Sequence, residues 1–136
     1  MNEAINKITK NSKFDLIGFS GGGAAAILIG ARNKNVNTIL TIAGNLDIAA
    51  FTKHHHLNPM KGSLNPMDYT AQVQNIPQLH ISGGADRIVP SFIAQNFIEQ
   101  ITTGCAKHQI IKKAEHNNYW DLYWPEILRQ KITCTP

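Results

Sequence analysis

The chain has 136 residues, 43% of them hydrophobic and 16% charged, with a formal net charge of +4, which is the make-up of one globular domain long enough to bury a core. Its lysines and arginines are scattered, with no basic run or aromatic-interleaved stripe, which excludes a nucleic-acid surface, and no apolar run approaches a membrane span. The opening MNEAINKITKNS has no apolar segment of the signal-peptide kind, so the compartment defaults to cytoplasmic unless a preceding segment carries an export signal.

Residues 2–10 read as a short helix with Ala4, Ile5 and Ile8 on one face, broken at Asn11-Ser12-Lys13. Phe14 to Phe19 is an apolar strand. Gly21 to about Arg32 is a helix, apolar nearly all round and therefore expected to be buried. Asn33-Lys34-Asn35 ends it, and Val36 to Ala43 is a second strand rich in β-branched residues. Residues 44–75 are mixed and polar and read as a lid-like insertion. Gln78 to Ser82 is a third strand. Ser91 to about Thr102 is a helix on the stripe Phe92, Ile93, Phe97, Ile98 and Ile101. His108 to Lys112 is a fourth strand, and Tyr119 to Lys131 is the last helix, with Tyr119, Trp120, Tyr123, Trp124, Ile127 and Leu128 as a packing stripe. Strands alternating with helices imply an α/β fold, a three-layer parallel sheet with helices on both faces. Cys105 and Cys134 fit no metal spacing and define no disulfide framework.

In such a sheet chemistry collects at the carboxyl ends of the strands. After the first strand, Gly18-Phe19-Ser20-Gly21-Gly22 fits the G-x-S-x-G nucleophile elbow. A serine oxygen is a weak nucleophile and must stand clear of the backbone where a base can reach it. A sharp strand-to-helix turn achieves this, and glycines two before and two after remove Cβ atoms that would clash. The helix then aims its free N–H groups at the same point. Two other readings stand beside this one. Ser20 could sit in a glycine turn that only allows close helix–strand packing. Gly21-Gly22-Gly23-Ala24-Ala25-Ala26 also matches the dinucleotide pattern G-x-G-x-x-A, but Thr41-Ile42-Ala43-Gly44 supplies no acid at the end of the next strand.

The later strand ends offer Asp86, within Gly83-Gly84-Ala85-Asp86-Arg87-Ile88-Val89-Pro90, and His116, within Ala114-Glu115-His116-Asn117-Asn118. His116 is preferred over His80 and His108 because those lie inside predicted strands. Asp47 is the rival acid, and Phe19, Asn45 and Asp47 are candidates for the pocket rim. Lys53-His54-His55-His56 resembles a metal tract, but adjacent side chains diverge and no second cluster completes a site, so it reads as a solvated loop face.

The order Ser…Asp…His and three motifs, GFSGG, SGGADRIVP and AEHNNYW, resemble the α/β-hydrolases. The resemblance covers essentially the whole chain but only the last four strands of the family's larger sheet. It implies that residues 1–136 are the C-terminal part of a hydrolase domain lacking the N-terminal strands. It implies Ser20 as nucleophile, His116 as general base, Asp86 as its orienting acid and the Gly21 N–H as one oxyanion donor. The second donor would come from a loop after a strand this chain does not contain. No cofactor or metal is implied, and the partner is a small-molecule acyl substrate. Gly62-Ser63-Leu64-Asn65-Pro66 resembles a turn of some bacterial hydrolases. The Phe14–Phe19 strand, central in the full sheet, is an edge here, which points to self-association through residues 14–19 or to a completing partner. A non-catalytic fragment and a nucleotide-binding module are the alternatives.

Overall fold

The computed structural model describes residues 1–10 and 12–135; Asn11, in the expected break after the first helix, lies outside them. In chain order the elements are α1 (Asn2–Thr9), β1 (Phe14–Phe19), α2 (Gly21–Gly30), β2 (Val36–Ile42), α3 (Ile48–His54), a 3-10 turn (Pro66–Tyr69) running into α4 (Thr70–Val73), β3 (Gln78–Gly83), α5 (Phe92–Glu99), β4 (Ala106–Ile111) and α6 (Trp120–Arg129). The strands form one parallel sheet in the order β1-β2-β3-β4. Because every strand runs the same way, all four carboxyl ends lie along one margin.

Alternation along the strands splits the apolar residues between two cores. Ile39 joins Ile27 of α2, Val73 of α4 and Phe97 of α5 on one face. Its neighbour Leu40 joins Ile42, Leu79, Ile81, Ile111 and Ile127 of α6 on the other, where Trp120 and Trp124 pack against them. Every position of β3 is buried, although it includes Gln78, His80 and Ser82. Their polar groups are paired. The Gln78 side-chain amide donates to the Val73 carbonyl at 2.7 Å, and Gln78 Oε1 lies 3.1 Å from His80 Nε2. An acceptor there puts the proton on Nε2, so His80 Nδ1 accepts from the Thr41 hydroxyl at 2.8 Å. Burial, with His108 nearby, lowers the His80 pKa to about 3, so the ring is neutral in the folded protein.

Helix α2 is covered on one side only. Gly23, Ala24, Ala26, Ile27 and Gly30 are buried, whereas Ala25, Leu28 and Ile29 are half-exposed and line an apolar hollow of about 350 Å³ with Met1 and Leu64. The expectation of full burial therefore holds only on the sheet side, because among the described residues no further element covers the outer one. Beside it β1 is the sheet edge, with Ile17 55% and Phe19 44% exposed.

The 44–75 segment contains two short helices that its polar composition hides. Asp47 caps α3 by accepting from Ala50 N–H at 3.0 Å, and Asn65 Oδ1 accepts from Ile48 N–H at 3.1 Å and Met67 N–H at 3.4 Å. The polarity that reads as loop is partly capping chemistry. Strand β4 begins two residues earlier than expected, because Ala106 pairs with Gln78. Cys105, immediately before β4, is bonded to Cys134 in the tail after α6. This corrects the sequence reading of the cysteines: spacing does not reveal a pair that only the return of α6 brings together. No helix of the described residues is long and apolar enough to cross a membrane.

Candidate active site

Strand β1 delivers Ser20 into the turn before α2, where the backbone is pinned from three directions. Ser20 N–H donates to Ile42 O at 3.0 Å, and Ser20 O accepts from Gly23 N–H and Asn45 N–H, each at 3.0 Å. The residue has φ 53° and ψ −120°, a left-handed conformation rare for a residue with a Cβ. The steric demand for glycine falls on Gly18, where a Cβ would stand 2.3 Å from Gly22 O, and on Gly23, where it would stand 2.7 Å from Gly44 Cα. At Gly22 a Cβ would meet nothing within 4 Å. The clash expected two residues after the serine is thus absent; the tight approach is one residue further on. Gly21 opens α2, and a first-turn N–H has no acceptor within its own helix.

Strand β3 ends in the turn holding Asp86, which is buried. Oδ1 accepts from Ile88 N–H and Val89 N–H, both at 2.8 Å. Oδ2 lies 2.8 Å from Nδ1 of His116. His116 is brought from beyond β4 and is also buried. A carboxylate only accepts, so Nδ1 carries the proton and Nε2 is left with its lone pair. That nitrogen is 3.0 Å from Ser20 Oγ, well placed to accept the hydroxyl proton. Two neighbours hold His116: the indole N–H of Trp120 donates to its main-chain carbonyl at 2.8 Å, and the centroid of the Phe19 ring lies 5.1 Å from that of the imidazole. A cavity of about 610 Å³ opens between the 84–88 turn and the 115–118 turn.

The other candidates fall elsewhere. Asp47 is buried and both its oxygens are engaged, Oδ1 with Ala50 N–H and Oδ2 with the Asn96 side-chain amide at 3.0 Å. It is a clamp between α3 and α5, neither a rim residue nor the acid beside the histidine. Asn45 braces the elbow through its main chain, while its buried Oδ1 has no hydrogen-bond partner among the described residues. Phe19 does stand at the site, against His116. His80 is held within the sheet by Thr41 and Gln78, and His108 by Ser82 of β3 at 2.9 Å and Gln95 of α5 at 3.0 Å. Sequence reasoning missed Trp120 and His55. Trp120 reads as one member of a packing stripe, and its indole N–H is the unexploited signal, because a buried indole seeks an acceptor. His55 was hidden in a tract read as solvated, yet its Nε2 lies 2.7 Å from Ile88 O, on the turn that bears Asp86.

A model of a serine hydrolase family, FSH1, matches residues 1–117. No curated protein sequence matches the chain. Among solved structures, the esterase Pf2001 of Pyrococcus furiosus superposes with a TM-score of 0.72 at 16% identity, over 93% of this chain and 57% of its own. Est1E of Butyrivibrio proteoclasticus gives 0.72 at 15%, over 92% and 64%. The monoacylglycerol lipase of Paleococcus ferrophilus gives 0.67 at 16%, over 93% and 70%. The chain therefore has a partial α/β-hydrolase fold and spans between 57% and 70% of the length of these three structures.

Proposed function

Because the chain belongs to the serine hydrolase family FSH1, we propose that it carries the machinery for cleaving a carboxylic ester, thioester or amide through an acyl-enzyme on Ser20. The observation that carries this reading is the position of His116, 3.0 Å from Ser20 Oγ on one side and 2.8 Å from Asp86 Oδ2 on the other. Ser20 Oγ attacks the acyl carbon as His116 Nε2 takes its proton. Asp86 keeps the Nδ1–H tautomer and stabilises the imidazolium. Gly21 N–H donates to the oxyanion. Collapse breaks the bond to the leaving group, which takes the proton back from Nε2. Water, deprotonated by the same nitrogen, then releases the acid and restores Ser20. Residues 44–75 act as the insertion flanking this site.

A second reading is favoured by the open side of the molecule. The β1 edge exposes Ile17 and Phe19, and the outer side of α2 is half-covered. On this reading the machinery needs a further strand-bearing segment, supplied by a longer chain, a second copy or a partner, that also brings the second oxyanion donor. Lack of one such donor costs about 10²–10³ in rate.

The test is a fluorophosphonate probe, with the adduct mapped by mass spectrometry and Ser20→Ala as control. Labelling at Ser20 that the variant abolishes supports the first reading. A folded chain that stays unlabelled removes it for this chain alone and leaves the second.

A further inference from the structure

The histidine tract of the insertion ends on the turn that carries Asp86. Nε2 of His55 lies 2.7 Å from Ile88 O, and a carbonyl oxygen only accepts, so His55 donates. The peptide group that supplies this carbonyl is the one whose N–H belongs to Val89. That N–H donates to Asp86 Oδ1 at 2.8 Å. A single peptide plane is therefore held at both edges, by His55 on one side and by Asp86 on the other. Asp86 Oδ2 meets His116 Nδ1, and His116 Nε2 meets Ser20 Oγ. An unbroken line of hydrogen bonds runs from the insertion to the serine. A donor placed on a peptide carbonyl polarises that peptide and strengthens its N–H as a donor.

The ring of His55 is itself fixed. It packs against Phe51 with centroids 4.7 Å apart and against His54 at 4.9 Å, and His54 meets Phe92 at the start of α5 at 5.3 Å. Helix α3 is anchored at its other end by Asp47 and Asn65. The insertion thus delivers one histidine to one carbonyl from a helix clamped at both ends.

We propose that His55 is a positioning residue, which holds the 88–89 peptide so that its N–H fixes Asp86, and through Asp86 the imidazole of His116, for proton transfer from Ser20. The inference rests on the reading of Ser20, His116 and Asp86 given above, and it assigns a role to the tract that spacing alone leaves on the surface.

Three forms of the full chain test it: wild type, His55→Phe, which keeps an aromatic ring but loses the donor, and His55→Gln, whose amide N–H can reach the same carbonyl. The readouts are the maximal rate of fluorophosphonate labelling and the probe concentration giving half of it. His55→Phe should lower the maximal rate by about three- to tenfold, the scale of one hydrogen bond, without moving the half-saturating concentration. His55→Gln should recover most of the loss. Wild-type rates in His55→Phe, or an equal loss in both variants, would overturn the proposal, since the ring's shape and not its donor would then matter. Should His55→Phe not fold, His55→Leu takes its place. If wild type does not label at all, the nucleophile reading fails separately. The proton NMR signal of His116 Nδ1–H then decides: altered in His55→Phe and retained in His55→Gln supports the link, and unchanged in His55→Phe overturns it.

Discussion

The indole N–H of Trp120 donates to the main-chain carbonyl of His116 at 2.8 Å, while the indole body packs against the core beneath the sheet. One side chain therefore ties the turn bearing the histidine to the core that α6 shares with the sheet. Trp120→Phe keeps an aromatic ring on the core and removes the donor. A hydrogen bond of this kind is worth about 1 kcal/mol, so Trp120→Phe should lower the melting temperature by only a few degrees, and labelling of Ser20 should slow by up to about fivefold. Trp120→Ala should cost about 2 kcal/mol or more of stability as well, because it also empties the packing site. Equal labelling by wild type and Trp120→Phe would show that the turn holds its shape without the indole.

Asp47 and Asp86 both follow strand ends, and the structure separates them by what they hold. Asp47→Ala frees the first turn of α3 and releases Asn96, and loss of such a cap costs about 0.5–2 kcal/mol. The loss should appear as a lower urea midpoint, with Ser20 labelling kept within a few-fold of wild type. Asp86→Asn should do the reverse. Its Oδ1 can still accept from Ile88 and Val89, but its amide would face Nδ1 of His116 as a donor and impose the wrong tautomer. A loss of about 10⁴ in rate accompanies the corresponding change in a serine protease triad. Labelling that collapses in Asp47→Ala and survives in Asp86→Asn would exchange the two roles.

The fold was legible where one physical rule dominates. Four apolar strands separated by helical stripes fix a parallel sheet, and the strand ends then gather Ser20, Asp86 and His116 without further information. What escaped the sequence was whatever depends on which side chain meets which backbone. Asn65 caps a helix that begins seventeen positions earlier. His55 finds a carbonyl thirty-three positions on. Cys105 finds Cys134 only after α6 has crossed the sheet. The apolar run in α2 misled for a different reason: periodicity reports that a helix can be buried all round, not that an element packs on each of its sides.

The disulfide closes a loop with a sequence separation of 29 between its cysteines. In the chain-entropy account such a closure stabilises by roughly 3.5 kcal/mol through restriction of the unfolded state. Reductant, or Cys134→Ser, should therefore lower the melting temperature by many degrees. The tail should loosen first, since with the bond cut its end is left to the hydrogen bonds from the Thr135 N–H and hydroxyl to Gly104 O. Thermal melts with and without reductant measure this. Coincident curves, with the bond verified by mass, would show that the closure leaves stability untouched.

His80 gives the protein an acid-labile core. Its ring is fully buried and neutral, with burial the main cause of a pKa lowered to about 3, against 6.5 for an exposed imidazole. Burial pushes His108 in the same direction. Between those values the unfolded chain binds a proton on His80 that the folded chain does not, so stability rises with pH across this window and falls as the pH drops from 6.5 towards 3. The full shift corresponds to roughly 5 kcal/mol. Carboxylates that lose their partners in acid add their own slope, so the informative quantity is a difference. His80→Gln removes the titrating ring while keeping polar atoms near Thr41 and Gln78. Urea unfolding at pH 7, 6, 5 and 4 should show the gap between wild type and variant narrowing as the pH falls, because only wild type carries the extra proton uptake. A gap that stays constant would mean that His80 is protonated equally in both states, which its complete burial between Thr41, Gln78 and the Phe97 ring argues against.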